Sequence, residues 1–245
     1  MDDAQEIAAG PEPLPEPLPG PSLSLLGDSA LLLSYGEAIE PGLNDRVQRL
    51  AALIRSCGLP GIRAVVPAYA CLAVHFDPLL WAGPTLGAEL CDRAREAGAA
   101  PVPGRTVIVP VLYGGEAGPD LAELAAHCRL TPEQVVARHA APDYRVYLLG
   151  FVPGFPYLGG LDPALAAPRR ATPRTRVPRG SVAIAGLQTG IYPLESPGGW
   201  QLIGRTPLRL FDPEAADPCL LRPGDRLRFQ SIAPERYREL AEARP

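Results

Sequence analysis

The sequence predicts an α+β fold in two parts, a small sheet-and-helix unit followed by a β-barrel. Three observations carry this prediction. Residues 22–98 run strand, strand, helix, strand, strand, helix; a Gly/Ala/Pro stretch interrupts the pattern at 98–104; and residues 105–232 hold short β-rich runs between glycine and proline turns, with only two helical stretches. At 245 residues and 47% hydrophobic content, the chain is long enough for one large or two modest cores.

The elements follow in order. Residues 1–21 alternate proline with other residues from Pro11 to Pro21, which removes backbone donors and favours extended chain, so a disordered tail is expected. Leu23 to Tyr35 reads as two strands joined at Gly27-Asp28. Leu43, Val47, Leu50, Ala51 and Ile54 fall at helical spacing, and Gly58 sits where a left-handed C-terminal cap belongs. Ile62–Val66 and Ala70–Phe76 are short β-rich runs, with His75 read as a packing residue. Thr85–Ala97 reads as a second helix.

Beyond the linker, Thr106–Leu112 is an apolar strand. Helices are expected over Asp120–Cys128 and Pro132–His139, the second with Thr131 as N-cap and Pro132 at its first position. Tyr144–Leu149 leads into the stretch that carries the chemistry, and Arg226–Gln230 forms a late alternating strand after the turn at 222–225. A polar helix closes the chain within 233–245.

All 23 basic residues are arginine, which excludes a lysine-bearing phosphate loop, a Schiff-base lysine and a biotinyl lysine within this chain. The net charge of −4 comes from the acidic tail (Asp2, Asp3, Glu6, Glu12, Glu16), leaving the remainder near neutral, unlike a nucleic-acid-binding domain. The five cysteines show no metal or redox spacing and read as buried free thiols of a cytoplasmic protein. Neither a signal peptide nor a membrane span is legible, and no metal site is expected.

The stretch Tyr147–Asp212 has three pieces. Gly150–Gly160 (GFVPGFPYLGG) sets aromatic rings between prolines and glycines, so that Gly154, Phe155 and Tyr157 form a conformationally fixed loop. Pro168–Gly180 repeats Pro-Arg and holds Arg169, Arg170, Arg174, Arg176 and Arg179 with no acid among them. It reads either as an anion-facing ridge or as a solvated edge that resists strand pairing. The third piece reads as a hairpin, Ser181–Ala185, a turn near Gly190, then a Pro-Gly-Gly turn at 197–199 and a strand through Arg205. Tyr192 and Trp200 are candidate ligand walls or barrel-packing rings. Gln188 and Thr189 offer neutral hydrogen bonds suited to an amide. His139, at a helix end, is a candidate proton shuttle or a helix cap. No Ser-His-acid triad is legible.

GFVPGFPYLGGLD, PRR..PR..VP.GSVAIAG, QTGIYP and SPGGWQLIGRTP, nearly contiguous, resemble the signature of the carboxyltransferase-domain-like family that is variously called allophanate hydrolase subunit 1, the B-type subunit of 5-oxoprolinase, or KipI, over residues 22–232. Arg179 departs from the small residue usual at its position. The resemblance implies a cyclophilin-like barrel and one subunit of an ATP-dependent 5-oxoprolinase, with ATP and Mg2+ bound together with partner subunits. Those partners are a second family subunit (the C-type subunit of 5-oxoprolinase, or allophanate hydrolase subunit 2 type) and a lactam-utilisation subunit. The alternatives are a KipI-like inhibitor of a histidine kinase and a carboxyltransferase subunit of a biotin-dependent urea or amide carboxylase. The expected site is then His139, Arg174 and Gln188 as catalytic groups, with Gly154, Phe155, Tyr157, Arg169, Tyr192, Trp200 and Arg205 on the substrate. Arg174 is expected to be functional and Arg176 dispensable.

Overall fold

A computed structural model describes residues 20–97 and 104–243. The expected tail and linker therefore lie almost wholly outside the described residues. In the first part, β1 (Ser22–Leu25), β2 (Ala30–Ser34), β3 (Ile62–Pro67) and β4 (Cys71–Phe76) form an antiparallel sheet in the order β1-β2-β4-β3. Helices α1 (Pro41–Cys57) and α2 (Gly83–Glu96) cover one face. Period-two alternation turns Leu31, Leu33, Leu72, Val74 and Phe76 onto that face, against Val47, Leu50 and Ile54 of α1 and Leu86 and Leu90 of α2. Gly58 ends α1 at φ 57°, as the cap signal required. His75 falls on the opposite, exposed face of β4, which corrects its reading as a packing residue.

The second part is a closed barrel of β5 (Thr106–Tyr113), β6 (Tyr144–Leu149), β7 (Pro156–Gly159), β9 (Ser181–Ala185), β10 (Gln188–Ile191), β12 (Gln201–Arg205) and β13 (Arg226–Ser231). Its order is β10-β7-β6-β13-β5-β12-β9, and β5–β13 is the parallel pair. Helices α3 (Leu121–Cys128) and α4 (Pro132–Ala140) pack on the barrel, α4 opening with the Thr131/Gln134 capping box. Among the described residues, strands β8 (Arg174–Val177) and β11 (Ser196–Gly198) pair only with each other, as a ribbon separate from the barrel sheet. Helix α5 (Pro234–Glu242) has no buried residue.

Two turn positions differ from expectation. The β9–β10 hairpin turns at Gly186-Leu187, with Gly186 at φ 58°, and Gly190 lies inside β10. Gly190 is needed for a close approach instead, since a Cβ there would stand 2.8 Å from the Phe155 Cζ. The Pro-Gly-Gly stretch likewise does not form the expected turn, because Pro197 and Gly198 belong to β11. The cysteines are free, but Cys57 is exposed and the other four are half-buried, so they are not core thiols.

A polar seam joins the two parts. Asn44 of α1, fully buried, donates through Nδ2 to the carbonyls of Ala68 (3.2 Å), Tyr69 (2.9 Å) and Tyr147 (3.3 Å) and accepts from Arg145 Nε at 3.0 Å. Arg145 also pairs with Asp45 at 2.6 Å. Tyr69 packs its ring on Tyr147 and Tyr157, with centroids 5.7 and 6.4 Å apart. No helix among the described residues is long and apolar enough to cross a membrane.

Candidate functional site

The loop Gly150–Phe155 is closed by its own backbone: Gly150 N donates to Phe155 O, Val152 N to Gly150 O, and Phe155 N to Val152 O. This tight path drives Phe151 to φ 67°, an uncommon conformation for a bulky residue, while its ring stays 62% exposed. Gly154 takes φ 81° against Leu210 and Phe211. The loop delivers Phe155 into a buried cluster with Tyr192 and Trp200, with centroids 5.1 and 5.5 Å away in edge-to-face contact.

Phe155, Tyr157, Tyr192 and Trp200 wall a cavity of about 460 Å³, which Ser196, Pro197 and Gly198 of β11 also line, together with Phe151. Gly198 of the ribbon runs so close over the Tyr192 hydroxyl that no side chain fits there. Among the described residues, the charged groups on the cavity are Arg169 and Arg170, and no carboxylate lines it. Burial raises the Tyr157 and Tyr192 hydroxyl pKa values, and the Arg169 charge opposes the rise at both. The Ser196 Oγ, on the lining, is buried without a partner.

The acid that the arginine ridge lacks comes from far upstream. Asp120, 3% exposed, accepts from Arg174 Nη1 (2.8 Å) and Nη2 (2.7 Å), from Arg170 Nη1 (2.9 Å) and from the Leu202 backbone N (2.7 Å). These bonds hold the Arg174 guanidinium above its ordinary pKa. Arg176 pairs with Glu195 at 2.6 Å on the surface. Arg169 is exposed, and among the described residues it has no ion pair or hydrogen-bonded side-chain partner.

The expected site is therefore divided. Phe155, Tyr157, Arg169, Tyr192 and Trp200 come together around the cavity. Arg174 braces the ribbon through Asp120 instead of facing a ligand. Gly154 shapes the loop from behind, and Arg205 donates to the Arg179 carbonyl at 2.7 Å, away from the lining. Gln188 donates to the Tyr69 hydroxyl at the seam and lies in a strand, as does Thr189.

His139 lies wholly buried among Tyr113, Tyr144 and Phe229, and is corrected from proton shuttle to core residue. Its Nδ1 meets the Tyr113 hydroxyl at 2.8 Å and its Nε2 the Thr189 Oγ1 at 2.9 Å, and burial lowers its pKa to about 3. It is neutral at physiological pH and enclosed. Sequence reasoning missed Asp120, which reads as a helix-start residue; its side chain makes no cap and turns to the arginines. It also missed the conformation of Phe151, for which the flanking Gly150 is the one local hint.

The family described as carboxyltransferase domain, subdomain C and D, matches residues 21–221. A protein of Bacillus subtilis (strain 168), named as the B-type subunit of 5-oxoprolinase, is 44% identical over 228 residues, which cover 89% of this chain and 95% of that one. Among solved structures, TTHA0988 is 43% identical with a TM-score of 0.74, over 83% of this chain and 39% of its own length. The Kluyveromyces lactis urea carboxylase shares the fold at a TM-score of 0.72 and 22% identity, over 90% of this chain and 22% of that one. The chain thus corresponds to a part of those two longer proteins and to nearly the whole of its bacterial relative. With the family matched over most of its length, the chain belongs to the carboxyltransferase-domain proteins of the 5-oxoprolinase B-type family.

Proposed function

We propose that this chain is one subunit of a cytoplasmic, ATP-dependent 5-oxoprolinase, which adds water across the lactam C–N bond of 5-oxoproline to give glutamate. The observation that carries this reading is the aromatic cavity with one unpaired guanidinium, Arg169, at its edge. A flat five-membered ring suits walls of tyrosine, phenylalanine and tryptophan, while the ring's carboxylate suits Arg169.

The residues of this cavity do not fit ATP with Mg2+. Among the described residues no carboxylate lines it to hold the metal, and a triphosphate calls for more cationic and backbone donors than one free arginine supplies. Activation of the amide oxygen by ATP is accordingly assigned to partner chains: a second family subunit of the C type and a lactam-utilisation subunit. What this chain's own residues do is bind and orient the lactam and exclude water from its ring face.

Reconstitution tests the reading. The chain, co-expressed with those two partners, should release glutamate from 5-oxoproline in an ATP-dependent assay, and omission of the chain should abolish release. Full turnover without the chain, or none from an assembled complex, would defeat it.

A further inference from the structure

The ridge between Pro168 and Gly180 carries five arginines, yet they are not equivalent in charge. Arg170 and Arg174 share the buried carboxylate of Asp120, and Arg176 is matched by Glu195. Arg179 is absent from the cavity lining. What remains facing the cavity is one uncompensated guanidinium, Arg169, beside aromatic walls and Ser196. A fork of N–H donors at the edge of an apolar box recognises one planar anion, and the apolar remainder of the box discriminates little between ligands of similar shape.

We infer that the cavity selects carboxylate-bearing lactams over neutral ones, with Arg169 as the specificity-determining residue, and that it takes no part in binding the nucleotide. This rests on the reading of the cavity as the lactam site, and adds to it the single residue on which the discrimination depends. Because Arg169 is exposed and unpaired, replacing it removes no structural contact. Removing Arg170 or Arg174 would instead release the Asp120 brace and confound binding with stability. Arg169 is thus the position at which ligand recognition separates from folding.

A charged hydrogen bond of this kind corresponds to about a 10- to 100-fold change in affinity. The experiment is a ligand-detected NMR titration of the full-length chain with L-5-oxoproline, with 2-pyrrolidinone (the same lactam without the carboxylate) and with Mg·ATP. L-5-oxoproline should bind the parent about 10- to 100-fold more tightly than 2-pyrrolidinone. Arg169→Ala should erase that difference while leaving 2-pyrrolidinone unaffected, and Arg169→Lys should restore part of it. Mg·ATP should show no binding that Arg169→Ala alters. An unchanged melting temperature establishes that the variants fold.

Equal binding of the two lactams, no binding of L-5-oxoproline, an Arg169→Ala variant that keeps the preference, or Arg169-dependent ATP binding would each overturn the inference. Should the chain show the preference while the assembled complex releases no glutamate, the proposed reaction fails and the carboxylate selectivity stands.

Discussion

At the scale of single residues, charge in this protein is decided by partners that lie far apart in sequence. Arg174 and Arg176 stand two positions apart on one strand, yet the first turns to Asp120 and the second to Glu195 on the surface. Arg174→Ala leaves a nearly buried carboxylate short of two of its four hydrogen bonds. It should lower unfolding free energy by about 2–3 kcal/mol. Arg176→Ala breaks an exposed pair and should change stability by less than about 0.5 kcal/mol. Urea denaturation of both variants decides this; equal losses would mean that Asp120 does not brace the ribbon. The aromatic residues and Arg169 were legible because their types and spacing are local features. Asp120 was not, since its partnership depends on tertiary approach across some fifty positions. His139 misled because a histidine at a helix end looks the same in sequence whether the next strand buries it or not.

At the scale of elements, the strands and helices were readable because period-two and helical apolar spacing, a capping box and a terminal glycine are each written within a few residues. The glycine-rich pieces were harder, because glycine serves two purposes that sequence does not separate. Gly186 is a turn residue at φ 58°, whereas Gly190 and Gly198 give way to the rings of Phe155 and Tyr192. The loop carrying Phe151 inverts the usual logic, for here a phenylalanine occupies the backbone region that glycine prefers. Phe151→Gly should therefore be more stable than Phe151→Ala by about 1 kcal/mol, the reverse of their order at ordinary positions. Denaturant midpoints of the two variants measure it. If alanine is the more stable, the loop relaxes freely and the exposed ring is not held by strain.

At the scale of the whole molecule, the two parts were legible as composition and pattern, but the way they are joined was not. The seam is polar, and it is built from Asn44, Asp45, Arg145 and the Tyr69 turn, none of which stands out in sequence. Its consequence for function runs through rings: Tyr69 of the first part rests on Tyr157, whose ring lies 6.0 Å from Trp200 in the cavity wall. Asn44 is the fastener, since one buried amide holds the Tyr69 turn, the β6 strand at Tyr147 and the Arg145 guanidinium together. Asn44→Ala would remove four hydrogen bonds at the seam, leaving Arg145 to Asp45 alone and the Tyr147 carbonyl to the Gln48 amide, at a cost of about 2–4 kcal/mol. Asn44→Asp keeps the Arg145 contact but cannot donate to the three carbonyls, so it should recover only part of the loss. Hydrogen exchange distinguishes a seam from a uniform core: in Asn44→Ala, amides around Tyr69 and in β6 should exchange much faster, while the α2 amides of the first part and the β12 amides of the barrel keep protection closer to the parent's. Uniform loss of protection across both parts would show that the molecule unfolds as one unit and that Asn44 is an ordinary core contact. Faster exchange confined to the seam, accompanied by weaker 5-oxoproline binding, would place the first part of the chain in control of the cavity wall through Tyr69.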